Sequence, residues 1–328
     1  MHLVLDTKGI NLKVRKGCFH LQTDKHERLI GPQKLTSISI TAQCWISSSA
    51  IRLAIQNKIP IYFHDGLGSI EGRLWSASFG HLATNRRQQV LFALDLRSTA
   101  WVIELFEHKT NEQIENLNYL KSRKIAHSKS IDEIILKMKT VLADFIQFAD
   151  KPLTECSASL MGKEGTLARY YWRAVSEAMP DEFRFEDRNR RPAHDPFNAA
   201  LNYLYGILYG HIENALFVVG LDPYLGLLHA DEYNQPTLAF DLIEPFRPWI
   251  DRMLMQAILR NEVKPNFFEP KNNGVWLSRA GKQYFIPLFD KFMNEKTIFC
   301  DKMLKRTSHI YRFAFELSKT LTNFETKP

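Results

Sequence analysis

Within SASFGHLATNRRQQVLFALDLRSTAWVIELFEHK, residues 76–109, the hydrophobic pattern changes its period. Upstream, HLVLD, INLKVRKGCFHLQT, KLTSISIT and IPIYFHD alternate apolar and polar positions and are rich in β-branched residues, which predicts strands. One helix interrupts them: in SSSAIRLAIQNK, residues 47–58, a serine cap precedes Ile51, Ala54 and Ile55 at helical spacing, and DGLGS at 65–69 reads as a turn. Downstream of about residue 82 the spacing of three and four takes over, first in the opening stretch and then in SIDEIILKMKTVLADFIQFAD. The small residues Ser76, Ser78 and Gly80 cluster where the period switches, which places a boundary within 76–83. The expected fold class is therefore α+β: a mainly β domain over 1–78, followed by a larger all-α domain over 79–328.

Further helices are expected over GTLARYYWRAVSEAM, with Glu164 just before its start, over DPFNAALNYLYGILYGHIENALFVVG, and from Trp249 to Asn261. In the second of these Asp195 has the look of an N-cap, with Pro196 at the first helical position.

The chain has 328 residues, 45% of them hydrophobic, enough for two cores of ordinary size. Its longest apolar runs, such as ALFVVGL at 215–221, fall short of the roughly 18–20 residues that cross a bilayer, and no leader pattern opens it, so a cytoplasmic protein without a membrane partner is expected. Cys18, Cys44, Cys156 and Cys300 are too scattered for a zinc knuckle or a disulfide framework. A formal charge of +7 and a pI near 9.1 make polyanions plausible partners.

Polar groups stand out in three otherwise apolar places: Glu164 in MGKEGTLARYYW, His229 in GLLH, and Asp241 with Glu244 in AFDLIEPFR. Taken singly, each has an ordinary explanation. A glutamate at a helix start complements the macrodipole, a lone histidine is usually packed or solvated, and Arg247 three residues after Glu244 suggests a surface ion pair. Their order and surroundings add what the single residues lack.

The glutamate motif GKEGTLARYYW, the run RRPAHDPFNAALNYLYGIL at 190–208, GLDPYLGLLH at 220–229 and LAFDLIEPFRP at 238–248 resemble the CRISPR-associated integrase family, the Cas one endonucleases that insert new spacers into CRISPR arrays. WISSSAIRLAIQNKIPIYFHDGLG at 45–68 looks like the same family's strand, helix and strand, so the resemblance spans nearly the whole chain. It implies that Glu164, His229 and Glu244 are metal ligands and catalytic residues, with Asp241 close by as a supporting or alternate ligand and Asn198 beside the site. Two carboxylates and an imidazole without a thiolate suit Mg²⁺ or Mn²⁺. The resemblance also implies double-stranded DNA as substrate, both prespacer and repeat, a homodimer held partly by the β domain, and the small Cas two protein as partner. Arg184, Arg188, Arg190 and Arg191, a basic run before the Asp195 helix, are candidate phosphate contacts.

The expected activity is metal-dependent phosphodiester chemistry, either cleavage by water or joining of two DNAs by attack of a 3′ hydroxyl. Two alternatives are a non-catalytic nucleic-acid-binding module and a related mobile-element transposase. Neighbouring genes and a repeat array would discriminate the last. Most of Tyr170, Tyr171, Tyr203 and Tyr205 are expected in the core, and His211, which matches no ligand position, as a packed or surface histidine.

Overall fold

The computed structural model describes residues 2–23, 26–35, 37–64, 70–74, 82–123, 128–189, 192–229, 235–271 and 273–324. Its contacts divide the chain into two compact units, Met1–Phe79 and Gly80–Pro328. The predicted 65–69 turn and the boundary residues Ser76, Ser78 and Gly80 lie outside the described residues.

The first unit contains β1 (His2–Leu5), β2 (Asn11–Arg15), β3 (Cys18–Gln22), β4 (Glu27–Ile30), β5 (Ser37–Ile40), β6 (Trp45–Ile46), α1 (Ser48–Gln56), β7 (Ile61–His64) and β8 (Ile70–Leu74). They form two four-stranded sheets, ordered β1-β5-β7-β8 and β4-β3-β2-β6. The β2–β3 hairpin turns on Lys16 and Gly17, both at positive φ (52° and 71°), the conformation that matches a two-residue turn to the twist of its strands. Ser47 caps α1 by accepting from the Ala50 amide at 3.2 Å, and Ala50 and Ala54 bury the helix against Leu5, Leu12, Phe19 and Ile38.

The second unit comprises α2 (Leu82–Ala93), α3 (Leu96–Ser122), α4 (Ser128–Ala143), α5 (Leu153–Ala178), α6 (Pro196–Val218), α7 (Thr237–Leu242), α8 (Arg247–Leu259), β9 (Phe268–Lys271), β10 (Gly274–Leu277), α9 (Arg279–Asn294), β11 (Lys296–Phe299), β12 (Lys302–Lys305) and α10 (Arg306–Thr322). It is predominantly rather than purely helical, since β9–β10 and β11–β12 are two-stranded antiparallel hairpins. The second hairpin turns on Cys300 and Asp301, again both at positive φ, and its Phe299 ring packs 5.6 Å from Phe246 and 5.3 Å from Trp249.

Asp195 caps α6 as expected, accepting from the Asn198 amide at 2.7 Å with Pro196 at the first helical position. The helix expected from residue 165 instead begins at Leu153, so Glu164 sits mid-helix rather than at a start. Gly162 and Gly165 read as breakers, but Leu153, Cys156, Leu160, Leu167, Tyr171 and Ala174 bury one continuous face across them. That burial outweighs the roughly 1 kcal/mol that each glycine costs a helix interior. A Cβ at either glycine would meet nothing within 4 Å, so the surface flanking Glu164 is open.

Candidate metal and catalytic site

The site forms where α3, α5 and the turn between α7 and α8 meet. The buried stripe of α3 runs Val102, Phe106, Lys109, Gln113, Leu117 and Leu120, and it carries one ammonium, that of Lys109, at 8% exposure. Lys109 Nζ donates to Glu164 Oε1 and to Glu244 Oε2, each at 2.5 Å. Glu164 projects from the middle of α5, while Glu244 opens a single tight helical turn, Glu244–Phe246, between α7 and α8. Two carboxylates 80 residues apart in sequence thus face one cation.

The second oxygen of Glu244 is also engaged: Arg247 Nε donates to Oε1 at 2.8 Å. Arg247 lies over the rings of Tyr205 and Tyr209, 4.9 and 5.3 Å from their centroids, and donates to the Tyr209 hydroxyl. The surface ion pair expected for Glu244 and Arg247 is therefore a buried one, each side chain about one-tenth exposed. Burial pushes the Glu244 carboxyl up, but the charges of Arg247 and Lys109 outweigh it and bring the group down to about 2. For Lys109 burial opposes the charge, and Glu244 and Glu164 more than restore it, so its pKa is raised. Two anions and two cations balance in a largely buried cluster, where loss of one partner leaves an uncompensated charge.

His229 lies on the loop after α6, and Asp241, fully buried in α7, organises it. Asp241 Oδ2 accepts from the amides of Leu227 (2.7 Å) and Leu228 (3.1 Å), and Oδ1 from the His229 amide (3.3 Å). Oδ1 also holds His229 Nδ1 at 2.6 Å. With Nδ1 committed to a carboxylate, Nε2 is the ring nitrogen presented to a ligand, the arrangement that commonly stands behind a metal-binding histidine. Burial works against the charged ring, but the Asp241 bond and charge, with Glu244 adding, raise its pKa. The turn leading to His229 is tight: a Cβ on Gly226 would lie 2.6 Å from the His229 carbonyl and 2.7 Å from Thr237 Cβ.

Among the described residues no group of three or more His, Cys, Asp or Glu side chains is arranged to hold a metal ion. The ammonium of Lys109 stands between the two carboxylates as their cation. By donor chemistry alone, two carboxylates facing one cation and an imidazole held through Nδ1, with no thiolate among them, are groups that suit Mg²⁺ or Mn²⁺. Both oxygens of Asp241 are engaged by the loop amides and the imidazole.

The remaining candidates make the following contacts. Asn198 is fully buried; its Nδ2 donates to Asp195 Oδ2 (2.6 Å) and the Asp187 carbonyl (3.0 Å), and its Oδ1 accepts from Arg188. It pins the loop before α6 and makes no bond to Glu164, His229 or Glu244. Arg188 turns inward, donating to Asn202 Oδ1 at 2.8 Å and lying 5.6 Å from the ring centroids of Trp172 and Tyr205. Arg184 is exposed beside Asp181 at 2.9 Å. Arg190 and Arg191 lie outside the described residues.

Tyr171 and Tyr205 are core residues whose hydroxyls donate to the buried Asp251, at 3.1 and 2.5 Å, while Tyr170 and Tyr203 are partly buried against the same core. Burial raises Asp251 to about 6 despite those bonds. His211 packs against Phe289 at 5.5 Å, and burial brings it down to about 4. Lys109 went unnoticed in the sequence, although a lysine inside a buried, mostly apolar helical stripe is the signal that marks it.

The profile described as CRISPR associated protein Cas1 matches residues 3–291. The CRISPR-associated endonuclease Cas1 1 of Archaeoglobus fulgidus is 31% identical over 322 residues, covering 94% of this chain and 93% of that one. A Cas1 endonuclease of Thermus thermophilus reaches 45% identity over 139 residues, 42% of each chain. Among solved structures, a casposase bound to its integration product superposes with a TM-score of 0.82 at 24% identity, covering 99% of this chain and 92% of that one. A CAS1 protein from Thermotoga maritima superposes with a TM-score of 0.80 at 20% identity, covering both chains completely. With a β unit, a helical unit and a profile match over most of its length, the chain belongs to the CRISPR-associated Cas1 family.

Proposed function

We propose that this protein is a metal-dependent DNA endonuclease and integrase that inserts new spacers into a CRISPR array. The observation that carries the reading is the convergence of Glu164 and Glu244 on one cation, beside a histidine oriented through Nδ1 by a buried carboxylate. In this reading Glu164, Glu244 and His229 Nε2 hold Mg²⁺ or Mn²⁺. When bound, such an ion supplies polarisation of a phosphodiester and stabilisation of charge on the departing oxygen.

The protein's own part is to hold the ligands. Asp241 fixes the imidazole with Nδ1 as donor, and Arg247 fixes the Glu244 carboxylate against the two tyrosines. Gly162 and Gly165 keep the neighbouring turn of α5 free of side-chain bulk, which suits the approach of a strand to Glu164. In joining, a 3′ hydroxyl forms a new bond to phosphorus, the bond to the target strand's own oxygen breaks, and the hydroxyl proton ends on that oxygen. In cleavage, water takes the place of the hydroxyl.

Relatives in solved structures include a Cas6-RT-Cas1–Cas2 complex and a Cas1–DNA complex. They support DNA and a Cas2 protein as partners here, and we extend the reading to a cytoplasmic homodimer in which the β unit contributes to the dimer contact. Among the described residues no helix is long and apolar enough to cross a membrane.

The test is strand joining and cleavage of labelled duplex and branched DNA with Mn²⁺ or Mg²⁺, comparing wild type, His229→Ala and a chelator control, with DNA binding followed in parallel. Activity that needs metal and vanishes in the variant, while binding persists, is the expected result. Wild type that binds DNA but neither cuts nor joins it, with the Cas2 partner present, would favour a non-catalytic binding module.

A further inference from the structure

We propose that Lys109 is the resident cation of the site: its ammonium neutralises Glu164 and Glu244 while no divalent ion is bound, and it is displaced from between them when one binds. The proposal deepens the reading of those residues as metal ligands and rests on it.

The geometry leaves little alternative for the ammonium. Both carboxylate oxygens lie 2.5 Å from Nζ, so they are no more than about 5 Å from each other. Two carboxylates that close, one of them almost wholly buried, repel and resist ionisation unless a cation stands with them. Arg247 reaches only Glu244, through Oε1, which leaves Lys109 as the group joining the two acids. A divalent ion held by both acids would compete with the ammonium for Glu164 Oε1 and Glu244 Oε2, the two oxygens that Nζ occupies. An ammonium and a divalent cation on the same two oxygens repel each other strongly in a largely buried cluster.

A lysine carries its charge on a flexible four-carbon stem, whereas the guanidinium of Arg247 is gripped by Glu244 and Tyr209 and flanked by two rings. The site therefore keeps one fixed cation and one movable one. Displacement makes a metal-free site stable and lowers affinity for the ion, since every binding event competes with the ammonium.

Lys109→Met keeps the stem and removes the charge. Mn²⁺ binding to the full chain without DNA, followed by the electron paramagnetic resonance of the free ion, should be tighter in the variant by about tenfold or more. Thermal unfolding in chelator should come at a lower temperature than for wild type, and added Mn²⁺ should raise it by more than it raises wild type. Wild type supplies a test that needs no variant: with ¹⁵N-lysine labelling, a protected ammonium resonance should be present in chelator and lose its protection on adding Mg²⁺.

If wild type binds Mn²⁺ and the variant binds it equally or more weakly, Lys109 is a fixed structural partner and the proposal is overturned, as it is if the protected resonance survives Mg²⁺ unchanged. If neither protein binds Mn²⁺, the metal reading of the site fails first and takes this one with it.

Discussion

Replacing Asp241 by asparagine removes one charge and almost no volume, and the site should not tolerate it. A carboxylate offers about four acceptor positions, and Asp241 uses them on Leu227, Leu228 and twice on His229. An amide has one accepting oxygen, so two orientations need to be weighed. With that oxygen toward His229, the NH₂ faces the amides of Leu227 and Leu228, and two buried donors meet a donor. At about 1–3 kcal/mol for each unsatisfied group, the loop loses about 2–6 kcal/mol. With the amide turned over, its NH₂ points at His229 Nδ1, and the ring can accept only by carrying its proton on Nε2, the nitrogen needed for a metal.

Either orientation damages metal binding, and the loss expected for a group behind a metal-binding histidine is about 10–100-fold. Mn²⁺ titration and urea unfolding of Asp241→Asn, beside wild type, read both effects. A variant that binds Mn²⁺ within a factor of two of wild type and unfolds at the same urea concentration would refute the account of Asp241 as organiser of the loop and the imidazole.

Two further predictions concern packing and acid stability. Gly226→Ala places a methyl group against the His229 carbonyl and Thr237, and it should cost about 1–3 kcal/mol by urea unfolding and weaken Mn²⁺ binding through the displaced loop. Asp251 and His211 should pull stability in opposite directions on acidification. The Asp251 pKa is raised from 3.8 to about 6, so its contribution is full below pH 3.8 and lost as pH rises through 6, about 3 kcal/mol in all. The His211 pKa is lowered from 6.5 to about 4, so its contribution is full above pH 6.5 and lost as pH falls through 4, again about 3 kcal/mol. Unfolding midpoints between pH 4 and 7 should fall more steeply on acidification in Asp251→Asn than in wild type, and less steeply in His211→Phe; slopes equal to wild type in both would contradict the burial argument.

What could be read before the structure was whatever local chemistry determines. The Ser47 and Asp195 caps, the alternating strands and the long apolar stripes depend on neighbours within a turn or two, and they stand where the pattern put them. Glu164 was placed at a helix start because the helix was read from GTLARYYW onward, and only the packed face running back to Leu153 shows that it begins earlier. Asn198 was assigned to the site's surroundings by resemblance, and its bonds close the loop before its own helix. Lys109 had no local signature beyond being charged in a mostly apolar stripe, since its meaning depends on acids 55 and 135 residues further on. The burial of Arg247 likewise required Tyr205 and Tyr209, contributed by a different helix.

That separation along the chain also has a cost during synthesis. Lys109 leaves the ribosome 135 residues before Glu244, an interval of roughly 7–27 s at translation rates of about 5–20 residues per second. Throughout it, α3 can dock on α5 only with a lysine whose second partner has not yet been made. Closure of the helical core in order of appearance is thereby disfavoured until the turn at Glu244 emerges. A nascent chain stalled before residue 244 should remain open to protease within α3, and the charge pocket would be among the last parts of the protein to exist.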